Sequence, residues 1–350
     1  MIDSSGIGVY LRECLPLLLQ TENNFLLMGN SSRLQNFASF SNVKIIECNI
    51  KPFSVKELFL FPVKIKRQIN KADIFFSPFF NVPNGINIPV YITIHDIIFP
   101  DMPELTSKFG LAARMWFYRR AYKKSKKIFT VSEFSKSRIQ HYLGTEKPVV
   151  VTYSAIQPMF LKYRIKAKNI RKTQTILFIG NIKKHKGLDI LLDAFIPAKK
   201  EGFPYRLIII GEKEKFRTAD KGIYRKIETL GHDAVAFTGF ISDEKLIEYL
   251  CTASLLVQPS LYEGFCLPPL EAMVLGTHAL ISDIPVLKEI YSGFPVTYFY
   301  NADPSDLKNK LTELLIKKNI PSPVLSDELL NRYTFQKTVS VILQNIEKTK

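Results

Sequence analysis

The chain has 350 residues, 46% of them hydrophobic and 23% charged, and this balance excludes intrinsic disorder and coiled coil as descriptions of the whole protein. A single hydrophobic core rarely grows to this length, so two domains are expected. The formal net charge of +16 favours an anionic partner. Nucleic acid is not the expected one, because RNP-type aromatic motifs, zinc fingers and helix-turn-helix signatures are absent.

Short apolar runs alternate with longer amphipathic segments in two stretches of the chain, which is the βαβ pattern of a parallel sheet. In the first stretch the predicted strands are 25–28, 43–47, 73–76, 90–94, 128–131 and 149–152. In the second stretch they are 175–179, 206–210, 234–237, 255–258, 279–282 and 296–299. Helical spacing is found at 9–19, 306–317 and 333–347.

These elements predict an α/β protein with two Rossmann-like domains that face each other across a cleft. The N-terminal domain covers 1–160 and the C-terminal domain 174–330, and the basic, weakly patterned segment 161–173 between them is interpreted as a linker. Segment 331–350 is predicted to form a C-terminal helix that packs back on the N-terminal domain. Ligands of doubly wound sheets bind beyond the carboxyl ends of the strands, so site residues are sought in the loops that follow strands.

The chain opens with MIDSSGIG, which looks like a loop that follows a strand, although no strand comes before it. We therefore expect the N-terminal first strand to be missing, either because the start lies upstream or because the product is truncated. The opening lacks the basic and apolar regions of a signal peptide, and no apolar run approaches the ~18 residues that span a bilayer. Four scattered cysteines without a C-x-x-C pair favour a reducing compartment, so a soluble, cytoplasmic protein is expected.

The segment 259–273, PSLYEGFCLPPLEAM, follows an apolar strand and leads into a predicted helix. Prolines suit the first helical turn, because the amides there have no intrahelical partner. A strand, a glycine-containing loop and a helix N-terminus together make an anion site. Glu263 and Glu271 add two carboxylates that suit the paired hydroxyls of a sugar. From these residues alone, a surface turn and a dipole-favoured helix position explain the two glutamates equally well.

The pattern YEGFCLPPLEAM, with Glu263 and Glu271 eight positions apart, resembles the donor-binding signature of the family 4 retaining glycosyltransferases, which have the GT-B fold of two Rossmann-like domains. The resemblance covers essentially the whole chain. It implies that Glu271 holds the ribose of a nucleotide-sugar donor and that Glu263 binds hydroxyls of the transferred sugar. Backbone amides would contact the sugar and the diphosphate at Gly264, Phe265, Cys266 and Leu267. Cys266 stands where the family usually has glycine, and an altered sugar pocket is one consequence.

A second match to the family is the segment 178–195, FIGNIKKHKGLDILLDAF. Lys186 occupies the basic position just before the helix, where the resemblance implies that it stabilises the departing diphosphate. Asn181 stands where many members have arginine, so this task falls more heavily on Lys186. A solvated basic turn is the alternative explanation.

In the N-terminal half, His95 ends a predicted strand and resembles the family's active-site histidine, which contacts the transferred sugar. A purely structural histidine is the alternative. Gly6 and Gly8 match the family's glycine loop, where a missing Cβ lets the backbone approach the donor. Ser132 also matches, although an N-cap serine explains it equally well.

The resemblance implies a retaining hexosyltransferase in polysaccharide or glycolipid synthesis, with GDP-mannose or a UDP-hexose as donor and a saccharide or lipid-linked saccharide as acceptor. The chain has no Asp-x-Asp triplet of the metal-dependent transferases, so no metal and no cofactor are expected, and the nucleotide sugar is a substrate. A GT-B nucleotide-sugar epimerase and an inactive truncated remnant are the alternatives. A glycosidase is weaker, since it gives Lys186 no role.

Segment 114–127, RMWFYRRAYKKSKK, combines seven basic residues with the only tryptophan of the chain. It predicts an amphipathic helix that lies on an anionic membrane surface, which would make the protein peripheral on the cytoplasmic face. An ordinary domain helix with a buried apolar face and a solvated basic face is the alternative.

Overall fold

The computed structural model describes residues 5–50, 54–167, 170–211, 221–231, 233–321 and 323–347. Two compact units are defined by contacts within the chain. The first contains Met1–Ala155 and Tyr333–Lys350, and the second contains Ile156–Arg332. Each unit is a mixed α/β structure whose strands run parallel to their neighbours, as the sequence predicts.

The helices and strands of the first stretch alternate along the chain as a βα pattern requires. They are α1 (Ser5–Leu19), β1 (Phe25–Gly29), α2 (Ser31–Leu34), β2 (Val43–Glu47), α3 (Val55–Phe59), α4 (Val63–Ile69), β3 (Phe75–Ser77), β4 (Val90–Thr93), α5 (Ile98–Asp101), α6 (Lys108–Lys124), β5 (Lys127–Thr130), α7 (Glu133–Leu143) and β6 (Val149–Val151).

The second stretch repeats the alternation and ends in a long final helix. Its elements are α8 (Pro158–Ala167), β7 (Thr175–Ile179), α9 (Leu188–Lys200), β8 (Arg206–Ile210), α10 (Lys221–Glu228), β9 (Val235–Gly239), α11 (Asp243–Thr252), β10 (Leu255–Gln258), α12 (Pro268–Val274), β11 (His278–Ser282), α13 (Pro285–Ile290), β12 (Thr297–Phe299), α14 (Pro304–Leu311), α15 (Asp327–Arg332) and α16 (Phe335–Glu347). All twelve predicted strands are confirmed, each end within two residues.

The second unit has one six-stranded parallel sheet, in the order β12-β11-β10-β7-β8-β9. This is the doubly wound order, in which strands are added first to one side of the sheet and then to the other. The switch lies between the two central strands, here β7 and β10. The four central strands, β11, β10, β7 and β8, are buried along most of their length, because helices cover both faces of such a sheet. Continuous apolar runs such as Leu255–Val257 could therefore be recognised in the sequence.

The strands of the first unit are divided between two parallel sheets. One contains β1 and β2, and the other contains β3, β4, β5 and β6 in chain order. The two sheets share their apolar surroundings: Phe25 of β1 and Phe76 of β3 pack in one cluster, and Met28 and Phe75 pack in another. Among the described residues the first element is α1, so no described strand occupies the predicted first position.

Helix α16 packs against α1 and belongs to the first unit. Its residues Phe335, Val339 and Ile342 recur at intervals of four and three and are buried, which is the spacing of one helical face. They form a cluster with Tyr10 and Cys14 of α1. The apolar stripe of the C-terminal segment thus explains its position at this unit.

The segment 161–173, predicted as a linker, differs from that prediction. Its first part lies in α8, which packs against α11 and α12 of the second unit. Phe160 and Ala167 of this helix are buried and seven positions apart, so they lie on one helical face. Because the positions between them are mostly basic or exposed, the helical pattern was hidden in the sequence.

Gly187 allows two loops of the second unit to meet. It has a φ of +67°, and a Cβ placed on it would lie 1.9 Å from the carbonyl oxygen of Pro259. No side chain fits at that distance, so the loop after β7 can rest on the loop after β10 only if this residue is glycine.

We predict that Gly187→Ala destabilises the protein more than Gly202→Ala does. Both glycines have positive φ, so alanine costs about 1–2 kcal/mol at either position from backbone strain alone. At Gly202 a Cβ meets nothing within 4 Å, whereas at Gly187 it collides with backbone. Thermal unfolding should show the larger fall in midpoint for Gly187→Ala. Equal falls would show that the two loops are not tightly apposed.

Candidate functional site

The carboxyl ends of β7 and β10 define the candidate site of the second unit. These strands are neighbours at the point where the chain order reverses, so the loops after them, 180–187 and 259–267, lie side by side. The backbone N–H of Leu261 donates to the carbonyl of His185 at 2.8 Å and joins the two loops directly. This edge of a doubly wound sheet is where ligands of the fold bind.

Lys186 and Glu263, two of the predicted site residues, are brought together by these loops. The Lys186 Nζ donates to Glu263 Oε1 at 2.7 Å and to Oε2 at 2.9 Å. The Glu263 side chain is 8% exposed and that of Lys186 is 22% exposed, so the pair is largely withdrawn from water. An ion pair that is screened this little is much stronger than one at the surface, provided that its desolvation is matched by such hydrogen bonds. A solvated basic turn therefore does not describe Lys186.

Two polar residues behind Glu263 were not found by the sequence analysis. The Ser260 hydroxyl donates to Glu263 Oε1 at 2.7 Å, and the Gln258 Nε2 donates to the Ser260 oxygen at 3.0 Å. Both residues are completely buried. Their hydrogen bonds fix the carboxylate in one orientation, because every donor in the chain is aimed at the next acceptor. The sequence feature that could have identified them is a pair of polar residues at the end of an otherwise apolar strand.

Glu271 lies in the first turn of α12 and is buried. Burial, and to a smaller extent the nearby Asp243, raise its pKa to about 8. At neutral pH the carboxyl is therefore largely protonated in the unliganded protein. A protonated carboxyl both donates and accepts hydrogen bonds, which suits a pair of ribose hydroxyls. The role of Glu271 toward the donor stays a prediction.

The first turn of α12 is not a source of backbone amides for the predicted anion site. The first two helical residues are Pro268 and Pro269, which have no N–H, and the N–H groups of Leu270 and Glu271 both donate to the carbonyl of Leu267. The predicted anion site therefore depends on the segment before the helix, Gly264, Phe265, Cys266 and Leu267. Its use of those amides stays a prediction.

Cys266 is held in a backbone conformation that residues other than glycine rarely adopt. Its φ is +74°, in the left-handed region that costs a residue with a Cβ about 1–2 kcal/mol. The thiol is buried and contacts Glu263; burial and the Glu263 carboxylate raise its pKa well above the usual value. Cys266 thus places a neutral thiol beside Glu263, where the family usually has no side chain.

His185 is a further residue of this site that the sequence analysis did not identify. Burial, and to a smaller extent the adjacent Lys186, lower its pKa to about 4, so the ring is neutral at physiological pH. Its Nδ1 is buried and has no hydrogen-bond partner among the described residues. A neutral ring nitrogen next to the ion pair can serve a ligand hydroxyl. In the sequence, His185 stands between Lys184 and Lys186, and nothing there distinguishes it from a residue of a solvated basic turn.

His95, the predicted site residue of the first unit, follows β4 and is half-buried. Its Nε2 lies 3.0 Å from the carbonyl oxygen of Pro78, which can only accept, so Nε2 carries the proton and Nδ1 is an acceptor. The ring packs edge-on against Tyr10 at 5.0 Å and stacks with Phe79 at 6.2 Å. Burial lowers the pKa of His95 to about 4, so the ring is neutral.

The structure corrects the prediction for Gly6 and Gly8. Both lie in the first turn of α1, not in a loop, and neither has a positive φ. A Cβ on Gly6 would meet nothing within 4 Å, so no close approach requires glycine there. The helix extends this far because Tyr10, Cys14 and Leu18 are buried at four-residue intervals and fix the helical turn. Residues 1–4 of the predicted loop lie outside the described residues.

Ser132 and Asn181 are the two other positions predicted from the resemblance to the family. Local structure explains the first of them. The Ser132 hydroxyl accepts the N–H of Ser135 at 3.0 Å and caps α7, as the alternative interpretation proposes. Asn181 is exposed and follows Gly180 at the end of β7, at the same sheet edge as Lys186. Whether the Asn181 amide serves a ligand stays a prediction.

Among the residues described above, no group of three or more His, Cys, Asp or Glu side chains is arranged to hold a metal ion. In the same part of the chain, no helix combines the length and the apolar character that crossing a membrane requires.

Comparisons with known protein families cover nearly all of the chain. Residues 27–159 match the model of Glycosyltransferase Family 4, and residues 161–324 match the model of Glycosyl transferases group 1. The chain belongs to the family 4 glycosyltransferases. The resemblance inferred from the glutamate motif is thereby confirmed, and so is the GT-B fold of two Rossmann-like domains.

The sequence identity of this chain to individual proteins is low. The serotype-specific mannosyltransferase WbdA of Escherichia coli is 32% identical over 177 residues, which is 49% of this chain and 20% of WbdA. The O-antigen chain mannosyltransferase B of Escherichia coli is 26% identical over 68% of this chain and 63% of its own length. The crystal structure of HepE from Anabaena, in complex with UDP and glucose, has a TM-score of 0.71 at 15% identity, over 98% of this chain and 96% of HepE.

We predict that Glu271 makes the stability of this glycosyltransferase depend on pH. Because the folded protein has a raised pKa of about 8, it keeps a proton that the unfolded chain releases near pH 4.5. The free energy of unfolding should therefore fall between pH 4.5 and pH 8 in the wild type relative to Glu271→Gln. At about 1.4 kcal/mol for each pKa unit, the difference grows to at most a few kcal/mol.

Urea unfolding of the two proteins at several pH values measures this difference, and Glu328→Gln, at an exposed position, is the control. A constant offset between wild type and Glu271→Gln over the whole range would show that the buried carboxyl does not titrate in this window.

Proposed function

We propose that the protein is a retaining hexosyltransferase whose nucleotide-sugar donor binds to the second unit. The observation that carries this proposal is the ion pair of Lys186 and Glu263 at the carboxyl ends of β7 and β10. A cation for a diphosphate and a carboxylate for sugar hydroxyls are there held in contact, at the edge where doubly wound sheets bind nucleotides. Membership of the glycosyltransferase family gives this pair its chemical meaning.

Lys186 stabilises the leaving diphosphate in this proposal. The Lys186 ammonium directs two of its three protons to the oxygens of Glu263, and this contact fixes its charge at the loop that precedes α12. Negative charge on the diphosphate grows as the bond to the sugar breaks, so a fixed cation lowers the barrier more than it strengthens ground-state binding. The amides of Cys266 and Leu267 add donors on the same side of the site.

Glu263 binds hydroxyls of the transferred hexose, and Glu271 binds the ribose of the nucleotide. The bond between the anomeric carbon and the diphosphate oxygen breaks, and the acceptor hydroxyl forms its bond on the same face of the sugar. Its proton passes to the departing diphosphate, so no protein nucleophile is required. Metal independence belongs to this proposal, because Lys186 supplies the charge that a divalent cation would supply.

GDP-mannose is the donor that we propose to test first, with UDP-hexoses second. The relatives WbdA and mannosyltransferase B are both named as mannosyltransferases, the second acting on an O-antigen chain. We also propose a saccharide or lipid-linked saccharide acceptor and a role in polysaccharide or glycolipid synthesis, which the O-antigen name of mannosyltransferase B supports. HepE supports the fold only, because its identity to this chain is 15%.

The exposed face of α6 is the surface that we propose for contact with anionic lipid. Four of the seven basic residues predicted for this purpose bind within the first unit: Arg114 lies over the Phe99 ring, and Arg120, Lys124 and Lys127 donate to carbonyl or amide oxygens. Apart from Lys108 at its start, the exposed residues of α6 recur at helical spacing and share one face, namely Phe109, Ala112, Ala113, Trp116, Arg119 and Lys123.

This α6 face combines apolar and basic character, as interfacial helices do. Phe109 is 89% exposed and Trp116 is 48% exposed, so large apolar surface is available beside two cations. The opposite face of the helix, with Met115, Tyr118 and Tyr122, packs in the core. The lysines Lys124 and Lys127 are therefore poor choices for testing the surface, because their replacement also removes structural hydrogen bonds.

We predict that a matching nucleotide sugar stabilises the protein and that Lys186→Ala impairs turnover more than binding. In a panel of nucleotide sugars, a ligand at about 100 times its Kd adds roughly 2.7 kcal/mol to the free energy of unfolding.

Lys186→Ala should lower kcat strongly and weaken binding of the nucleoside monophosphate little. Glu271→Gln should weaken donor binding by about 0.5–1.5 kcal/mol, the range for a neutral hydrogen bond, because the Glu271 carboxyl is largely protonated. EDTA should leave transfer unchanged.

Lys183→Ala is the matched control, because this exposed lysine lies in the same loop. Normal turnover of Lys186→Ala would remove the assigned role, and loss of transfer on chelation would overturn the metal-free mechanism. Interconversion of two nucleotide sugars without an acceptor would identify an epimerase instead.

We also predict salt-sensitive binding to vesicles that contain anionic lipid, carried by the α6 face. Each basic residue near such a surface contributes about 1 kcal/mol, so the double variant Arg119→Gln with Lys123→Gln should weaken binding by about 2 kcal/mol. Phe109→Ser should weaken it further, and ionic strength near 1 M should abolish it, since the Debye length falls to about 3 Å.

Lys317→Gln with Lys318→Gln, at exposed positions of the second unit, is the matched charge control, and donor binding should be intact in every variant. Vesicle binding that ignores both salt and the α6 substitutions would show that this helix has only a structural role.

A further inference from the structure

We propose that Tyr291 is a positioning residue that holds the amide-bearing loop 264–267 in its binding conformation, by clamping Cys266 in the left-handed region. This inference rests on the proposed function, because it takes that loop as the segment that contacts the sugar and the diphosphate. It adds a residue from α13's end, outside the glutamate motif, to the determinants of donor binding.

The Tyr291 hydroxyl joins the loop to the start of α12. It donates to the carbonyl oxygen of Cys266 at 2.5 Å and accepts the N–H of Leu270 at 3.2 Å. Both hydrogen-bonding capacities of the hydroxyl are thus used at the same place. One bond holds the last turn of the loop and the other holds the first turn of the helix, so their separation is fixed by a single oxygen atom.

The Tyr291 ring is itself immobilised. The residue is 1% exposed, it follows α13 directly, and its ring packs edge-on against Phe294 at 5.7 Å. A hydroxyl on a ring that cannot move is an effective anchor, because little freedom remains to be lost when its hydrogen bonds form. The anchor and the loop come from different segments of the second unit, so the clamp exists only in the folded unit.

Cys266 needs such an anchor for a reason that the structure makes explicit. Its φ of +74° is unfavourable for a residue with a Cβ, and backbone strain of this kind persists only where surrounding contacts over-determine it. A relaxation of Cys266 to negative φ would rotate the peptide planes on either side of it. The amides of Cys266 and Leu267 would then point elsewhere, and the thiol would leave the Glu263 carboxylate that it contacts.

The neighbouring prolines increase the importance of this anchor. Pro268 and Pro269 have no N–H groups and cannot tie the loop to the helix through their own backbone. The carbonyl of Leu267 already accepts the N–H groups of Leu270 and Glu271. The Tyr291 hydroxyl is therefore the contact that restrains the carbonyl of Cys266 from outside the loop.

The test compares Tyr291→Phe, Cys266→Gly and the double variant in donor binding by calorimetry, with the nucleotide sugar that binds the wild type. Tyr291→Phe should raise the donor Kd about 3- to 10-fold, the range expected for one lost hydrogen bond. Cys266→Gly in the Tyr291→Phe background should restore affinity to within about 2-fold of wild type, because glycine adopts the required φ without strain.

Tyr205→Phe is the control, because its hydroxyl donates to the carbonyl of Leu315 at 3.3 Å elsewhere in the same unit. It should leave donor affinity unchanged. An unchanged donor Kd in Tyr291→Phe overturns the proposal, and so does a loss of affinity that Cys266→Gly fails to rescue, since a general loss of stability would not be repaired by glycine at this one position.

A second measurement needs no ligand. Alkylation of the buried Cys266 thiol by iodoacetamide, followed by peptide mass mapping, should be faster in Tyr291→Phe than in the wild type, while the buried Cys251 of the same unit reacts at the same rate in both. If no nucleotide sugar binds the wild type, the proposed function fails, and the alkylation rates alone decide whether Tyr291 holds the loop. Equal Cys266 rates in the two proteins would then overturn the clamp.

Discussion

The ion pair between Lys186 and Glu263 is the interaction around which the site of the second unit is arranged. The two residues are 77 positions apart, and they meet because β7 and β10 are adjacent at the point where the sheet reverses its order. Removing one member of a buried pair leaves an uncompensated charge, at a cost of about 3–5 kcal/mol. The two loops thus depend on each other for electrostatic reasons as well as steric ones. Gly187 supplies the steric part, because any side chain there would collide with Pro259.

Several polar groups around this pair are buried and hold fixed orientations or protonation states. Gln258 and Ser260 form a buried hydrogen-bonded chain to Glu263, while burial keeps His185 neutral and Glu271 largely protonated. A site of this kind has little reorganisation left to perform when a charged ligand enters, since its dipoles already point in fixed directions. The strain at Cys266 belongs to the same design, because a backbone conformation that the loop would not adopt alone is maintained by packing around it.

The first unit shows how net charge can mislead. Of the seven basic residues between Arg114 and Lys127, four make hydrogen bonds or ring contacts within the unit, so a formal charge of +16 overstates the charge that α6 presents to a partner. What remains at the surface of the helix is a mixed apolar and basic face. His95 is likewise neutral, since its ring is enclosed by Tyr10 and Phe79.

Local patterns in the sequence were sufficient for the α/β class and for every predicted strand, and the resemblance of the glutamate motif was sufficient for the family. Buried parallel strands are continuous apolar runs, and the spacing of Glu263 and Glu271 places both residues around one loop and helix, so neither feature depends on distant contacts. Tertiary structure alone decided the rest. The partner of Glu263, the helical state of Gly6 and Gly8, the left-handed backbone of Cys266 and the burial that shifts the pKa of Glu271 all depend on residues far away along the chain. Such contacts are set by how the elements pack against one another, and no local pattern encodes them.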